Sequence, residues 1–327
     1  MTNKANQMTA GQRVRAFVQA SPARMTFIIA LVLLCATFLY QPESFKPTTF
    51  SSIILLTLLL SFASAGQTIV LIGGGMDFTV GAVMSSSAIL TAYVMNSQNG
   101  RFLLVFVLAM AMGAGIGLLN GFCSVKIGLP PMIVTMAISN VVTRLQYVFT
   151  QGSPSGYASP DFIHSVIDRI FGFLPKLALY ALILWPLIYF LLNKSRFGKQ
   201  VYLTGNNPVA AQLNGVRVNR VRILTYVFSG MFSAFAGMLG TAYMSTARCQ
   251  IFDNYAFDSL IAVIVGGTAF TGGVGSYTGS IAGALLMTVL SNALTMFALS
   301  QPVRNIVQGV VMVLLLIIYN RSKAVRQ

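Results

Sequence analysis

From about residue 25 to residue 319 the chain is a succession of apolar runs. They fall at about 25–40, 50–72, 80–95, 102–123, 132–149, 175–192, 223–246, 255–271, 277–298 and 303–319. A helix that crosses a bilayer needs roughly 20 such residues. Only 8% of the residues are charged, against about 25% in a soluble domain, so these runs have no polar coat to wear in water. Inside hydrocarbon each must be helical, because an open backbone would leave N–H and C=O groups unpaired. The expected fold is an all-α membrane protein of about ten transmembrane helices, three of them short or broken by glycine.

Charge orients the spans. The formal net charge is +15, from 21 Lys and Arg against 6 Asp and Glu. With the N-terminus inside, the inner segments take fourteen of the basic residues and the outer segments seven, while only Asp77 of the acids lies inside. Basic loops gather on the cytoplasmic face, so the surplus reads as membrane orientation rather than nucleic-acid binding. Both termini inside requires an even number of spans. The expected organisation is a cytoplasmic segment over 1–24, one transmembrane domain over 25–320 and a cytoplasmic tail over 321–327. The first apolar run leaves through Ala36-Thr37-Phe38-Leu39-Tyr40-Gln41-Pro42 without a small-x-small cleavage pattern, so it reads as an uncleaved span.

Chemistry-bearing residues are scarce. The one histidine, His164, lies in a polar outer loop over 150–174 and reads as a solvated surface residue. Cys35, Cys123 and Cys249 are far apart, without metal-ligand spacing. The stretch Asn193–Gln200 lacks the first Gly and the final Ser/Thr of a phosphate-binding loop. No catalytic residue, metal site or bound cofactor is expected, and ATP hydrolysis would belong to another chain.

Glycine carries more information. Gly113, Gly117 and Gly121 recur every fourth position, as do Gly279 and Gly283. Such faces let helices approach closely. Two other clusters cannot sit in continuous helix. Gly73-Gly74-Gly75 precedes Met76-Asp77-Phe78-Thr79, and Gly266-Gly267 begins a stretch that ends at Gly272-Gly273-Val274-Gly275. Glycine costs about 1 kcal/mol relative to Ala in a helix, so both read as broken helices or re-entrant turns beside protein or water. Asp77 then either caps the next helix at Thr79–Val80 or lies on a path through the membrane. Asp258 stands upstream of the second break.

The longest inner connection, 193–222, carries six basic residues. Its middle, Asn207–Gly215, reads as a short helix with Pro208 in the first turn and Gly215 as the stop. This is either a solvated loop held to lipid phosphates or a docking helix for a cytoplasmic partner. The turns Asn120–Pro131 and Asn292–Pro302 are similar and fall on opposite faces, as an inverted repeat would leave them.

These motifs together resemble a family. Gly73–Gly81 is similar to a GG-hydrophobic-D-hydrophobic-S-VG signature. Asn120-Gly121, Lys126 and Leu129-Pro130-Pro131-Met132-Ile133-Val134-Thr135 resemble an NG…K…PPFIVT segment. Gly205–Gly215 resembles a GGNxxAAxxxGI loop, and Ile261–Gly275 an AVVLGG…GGxGS segment. The matches run in order from about 50 to 318. They resemble the permease subunit of bacterial ABC importers of the ribose/xylose/arabinose/galactose type.

The resemblance implies a type II importer-like permease in the bacterial inner membrane, moving a monosaccharide by alternating access. It implies a second permease copy, two ATPase subunits that hold the ATP and Mg, and a periplasmic sugar-binding protein. It assigns Gly205, Asn206, Ala210, Ala211 and Gly215 to a coupling helix on the ATPase. Outer Arg169, Lys176, Arg248 and Arg304 could then pair with acids on the binding protein. The chain departs from the pattern at Ala256, where many relatives carry an acid, at the extra Gly75, and at Thr79 in place of Ser. A branched-chain amino-acid ABC permease and a secondary sugar transporter without an ATPase are the alternatives.

Overall fold

The computed structural model describes residues 22–42, 46–297, 299–300, 302–311 and 313. The expected N-terminal segment lies almost wholly outside them, as do Glu43, the end of the tenth apolar run and the C-terminal tail. Twelve named helices run in order: α1 Pro22–Tyr40, α2 Pro47–Ile72, α3 Val80–Met95, α4 Phe102–Val125, α5 Pro131–Thr150, α6 Pro160–Ile167, α7 Leu177–Asn193, α8 Arg196–Asn206, α9 Pro208–Leu213, α10 Val218–Met244, α11 Tyr255–Val265 and α12 Tyr277–Met296. A further helix, α13, covers 302–311. The two-residue strands β1 (Arg169–Ile170) and β2 (Leu174–Pro175) pair antiparallel between α6 and α7.

Among the described residues six helices are long and apolar enough to cross a membrane, or seven if α7 and α8, bent by 58°, count as one span. α3 and α11, with 16 and 11 residues, reach only about 24 and 16 Å at 1.5 Å per residue. Neither crosses a hydrocarbon core of about 30 Å alone. The apolar run expected over 255–271 is helical only to Val265, because the glycines that follow end it. Pro47, Pro131, Pro160 and Pro208 open helices, where a missing N–H costs nothing.

α10 is the hub, packed against α2, α3 and α4. Its contact with α4 is backbone on backbone. A methyl added at Gly113 would strike the Gly230 carbonyl, one at Gly117 the Tyr226 carbonyl, and one at Gly121 the Ile223 backbone. This is the close approach expected of that glycine face. Gly279 and Gly283 likewise lie against the Gly266 and Ala262 carbonyls of the α11 chain. The other face of α4 is the reverse: Leu103, Leu104, Val107, Leu118, Leu119 and Phe122 are exposed. An apolar surface of that extent belongs in lipid.

The connection that carries β1 and β2 is ordered. Asp168 accepts from Lys176 Nζ at 2.9 Å and lies 3.0 Å from His164 Nδ1. Lys176, expected to be available to a partner, is thus already paired within the chain, while Arg169 and Arg248 are exposed. Arg304 donates to Thr295 Oγ1 at 2.6 Å.

Candidate translocation and coupling sites

The two glycine breaks and the connection between α7 and α10 meet at one point. α2 ends at Gly73, and Gly74 turns the chain with φ +82°, a region open to glycine but costly for other residues. The second break turns at Gly267, Gly272 and Gly273, with φ +95°, +86° and +75°. The Gly273 N–H donates to the Ile72 carbonyl at 2.9 Å. Gly205, in the last turn of α8, packs on that same carbonyl and on the Gly273 nitrogen; Gly272 lies against Gly74. Tyr202 of α8 adds a bond from its hydroxyl to the Gly275 carbonyl at 2.8 Å. Side chains at these glycines would hold the segments apart.

This changes the picture of the coupling segment. Gly205 and Asn206 end α8, and Gly205 is turned inward onto the chain's own breaks. A separate helix, α9, carries Ala210 and Ala211. It forms as its residues dictate: the Asn207 side chain accepts from the Val209 and Ala210 N–H groups, both at 3.0 Å, and Pro208 follows it. Gly215 stops it with φ +79°. Ala211 is buried, whereas Ala210 is exposed. The sequence reading missed Val209 and Leu213, which are 67% and 84% exposed. Exposed apolar side chains on a capped helix offer a partner something to cover. It also missed α8, whose Arg196 and Lys199 disguise a helix capped by Ser195.

Asp77 is fully buried. Its Oδ1 accepts from the Thr79 N–H at 2.8 Å and from the Thr79 hydroxyl. Thr79, not Asp77, is the residue that starts α3. The acid therefore shapes an Asx turn leading into the helix instead of capping its first free N–H groups. Asn120 of α4 donates to Thr79 Oγ1 at 2.8 Å, tying the turn to the neighbouring helix. Asp77 Oδ2 and Asn120 Oδ1 are buried without a hydrogen-bond partner.

Asp258 lies in the first turn of α11, half-buried. The segment 245–254 before α11 packs on α3: the Phe252 N–H donates to Ser85 Oγ at 3.0 Å, and Gly81 packs on the Phe252 and Asp253 backbone. Gln146 of α5 braces both, donating to the Ala82 carbonyl and accepting from the Gln250 N–H.

Beside the first break a cleft of about 410 Å³ opens. Gly73–Gly75 form one side. Ser124, Val125, Gly128, Leu129, Pro130 and Pro131 form a second; Asn219, Arg222, Thr225 and Tyr226 form a third.

Long apolar helices, with a half-length helix α3 that begins after one glycine break and a half-length helix α11 that ends at the other, define a multi-pass membrane protein. A family model described as the permease component of branched-chain amino acid transport systems matches residues 49–316, and the chain belongs to that family. It is similar to the ribose import permease protein RbsC of Bacillus subtilis, 28% identical over 299 residues, covering 91% of this chain and 92% of that one. RbsC of Escherichia coli K12 is 27% identical over 302 residues, covering 91% and 94%. The galactose/methyl galactoside import permease protein MglC of Haemophilus influenzae is 30% identical over 305 residues, covering 88% and 91%. No solved structure matches.

Proposed function

We propose that this chain is the membrane subunit of an ATP-driven importer that carries a monosaccharide into the cell. The observation that carries this reading is similarity along about nine-tenths of the chain to ribose and galactose import permeases. The substrate would arrive on a binding protein outside. A separate ATPase would hold the ATP and Mg, and this chain would bind no cofactor. A second permease copy would complete the path, whether the same chain or a related one.

In this reading the protein sits in the inner membrane with both termini inside and about ten spans. α3 and α11 are then half-helices that share their passages with the extended 76–79 stretch and the segment 245–254. Support for an inverted repeat comes from two helices, α2 and α11, that each end at a glycine break before a following helix. Support for the docking role of α9 comes from the exposure of Val209 and Leu213 on the connection that carries six basic residues. Gly205, Asn206, Ala211 and Gly215 would serve that role indirectly, by holding α9 in place.

The family description favours a second reading, a branched-chain amino acid as substrate. Uptake separates the two. Vesicles holding the complete transporter, with ATP, are offered labelled D-ribose, D-galactose and L-leucine. Accumulation of either sugar without leucine supports the proposal. Accumulation of leucine alone replaces it with the second reading.

A further inference from the structure

The cleft beside Gly73–Gly75 carries an unanswered positive charge. Arg222 lines it and is half-buried. Only its Nε is enclosed. The two terminal nitrogens of the guanidinium are open, and no hydrogen bond or ion pair reaches them among the described residues. The lining residues include no acid. Asp77 is fully buried and so does not reach the cleft. Lys126, Arg217, Asn219 and Arg220, close by in the chain, are exposed, so the surroundings add to the positive charge. A guanidinium is a planar fork of donors that matches a phosphate bidentately.

The cleft lies at helix ends. α4 stops at Val125, α5 opens at Pro131, and Arg222 stands in the second turn of α10. All three are among the helices long and apolar enough to cross a membrane. Their ends belong at the level of lipid headgroups, where water and charge replace hydrocarbon. An apolar track leads to the same place. Leu118, Phe122 and Val125 share one face of α4 by their spacing. Leu118, Phe122, Ile127 and Leu129 are exposed, and Val125 and Leu129 are part of the cleft wall.

We infer that this cleft holds the phosphate group of an anionic membrane phospholipid, bound by the Arg222 guanidinium, with the acyl chains lying along the exposed face of α4. The volume of about 410 Å³ falls within the range of about 300–1,000 Å³ usual for small-molecule sites. Basic pockets between membrane helices are the usual seats of such headgroups. The apolar track distinguishes a lipid from a free anion, which has no use for it. The inference needs only a chain that spans a membrane and is independent of the solute carried. The cleft wall at Gly73–Gly75 follows directly on Ile72, whose carbonyl is bonded to Gly273 and packed on by Gly205. A lipid seated there would brace the first glycine break from the membrane side.

The test uses the full chain in mild detergent, with whatever subunits accompany it, washed free of lipid. Cys35, Cys123 and Cys249 are changed to Ser, and Val125→Cys supplies a label site in the cleft; Leu129→Cys is the substitute if that variant does not reach the membrane. Maleimide labelling is timed with dioleoylphosphatidylglycerol, dioleoylphosphatidylcholine or inorganic phosphate present. Phosphatidylglycerol should slow labelling roughly tenfold at ten times its dissociation constant, by mass action. Phosphatidylcholine, whose choline cancels the charge, should need a clearly higher concentration. Arg222→Gln should raise the phosphatidylglycerol concentration for half-protection roughly fivefold or more, the factor for one basic residue facing an anionic headgroup; Arg222→Lys should raise it less. If Arg222→Gln does not fold, the comparison of the two lipids decides alone. Equal protection by both lipids overturns the inference, as does phosphatidylglycerol protection that survives Arg222→Gln. Protection by inorganic phosphate with none by phosphatidylglycerol overturns the lipid in favour of a free anion.

Discussion

α8 and α9 are consecutive helices in one short connection, yet their surroundings are opposite. The end of α8 is bolted to the chain. Gly205 lies on the Ile72 carbonyl and the Gly273 nitrogen, so its fit is set by backbone that cannot give way. α9 is open. Its own cap satisfies its first N–H groups, Ala211 holds it down, and Val209 and Leu213 point outward. A partner seated on α9, as proposed, would bear through α8 on the two helix breaks.

The largest effect should come from the bolted half. Gly205→Val drives a branched side chain into two backbone segments, and overpacking of this kind costs about 1–3 kcal/mol or more. Little folded protein should survive detergent extraction and size-exclusion chromatography. A Gly205→Val protein that folds normally would break the comparison, since Gly205 would then be no tighter than α9.

The open half should behave differently. Val209→Asp with Leu213→Asp changes exposed positions, where substitutions shift stability by about 0.5 kcal/mol or less. The variant should keep its melting temperature but lose ATPase association by at least about tenfold, as expected when contact residues central to an interface are removed. Co-purification yield and a thermal melt on the same preparation check both halves of that statement. Charging Ala211 instead is a poor probe, because it is buried and the helix itself would shift.

Asp77 sharpens the comparison from the side of the breaks. Asp77→Ala removes the acceptor for the Thr79 N–H and hydroxyl and should destabilise by about 1–3 kcal/mol. Asp77→Asn keeps an oxygen at that place and should cost clearly less. Equal losses in the two variants, measured by thermal melts, would mean that the charge rather than the turn matters.

The smallest effect lies in the connection between α6 and α7. The His164 hydrogen bond, and then that from Lys176, hold the Asp168 carboxyl below its ordinary range. A lowered folded-state value stabilises above the unfolded value and is lost as pH falls through the lowered one. The difference in melting temperature between the native chain and Asp168→Asn should therefore shrink on acidification below about pH 4. The group is exposed, so the difference is small at every pH.

Much of this was legible in the sequence. Apolar runs located the long helices because hydrocarbon forces any run of that kind into a helix. Gly113, Gly117 and Gly121 announced a close helix contact, and Asn207-Pro208 announced the start of α9. Other features were hidden for physical reasons. α8 is basic and amphipathic, so it reads as loop. Gly205 and Ala210 fall in one motif although one faces the breaks and the other solvent, and adjacency in sequence carries no burial. The break after Val265 was legible at Gly266-Gly267, but the apolar run over 255–271 hid how short α11 is. The cleft draws on segments near 74, 128 and 222, which only the fold brings together.

The central claim is that this permease works by seating an ATPase on α9. The direct test is gentle detergent purification of the full chain from its native membrane, with mass spectrometry of what accompanies it, for the native chain and for Val209→Asp/Leu213→Asp side by side. The account predicts an ATPase with a phosphate-binding loop beside the native chain and its loss from the variant. An equal yield of that ATPase with both chains would move the docking site elsewhere. Its absence from the native preparation, with sugar still moved by the chain reconstituted alone, would contradict the account outright.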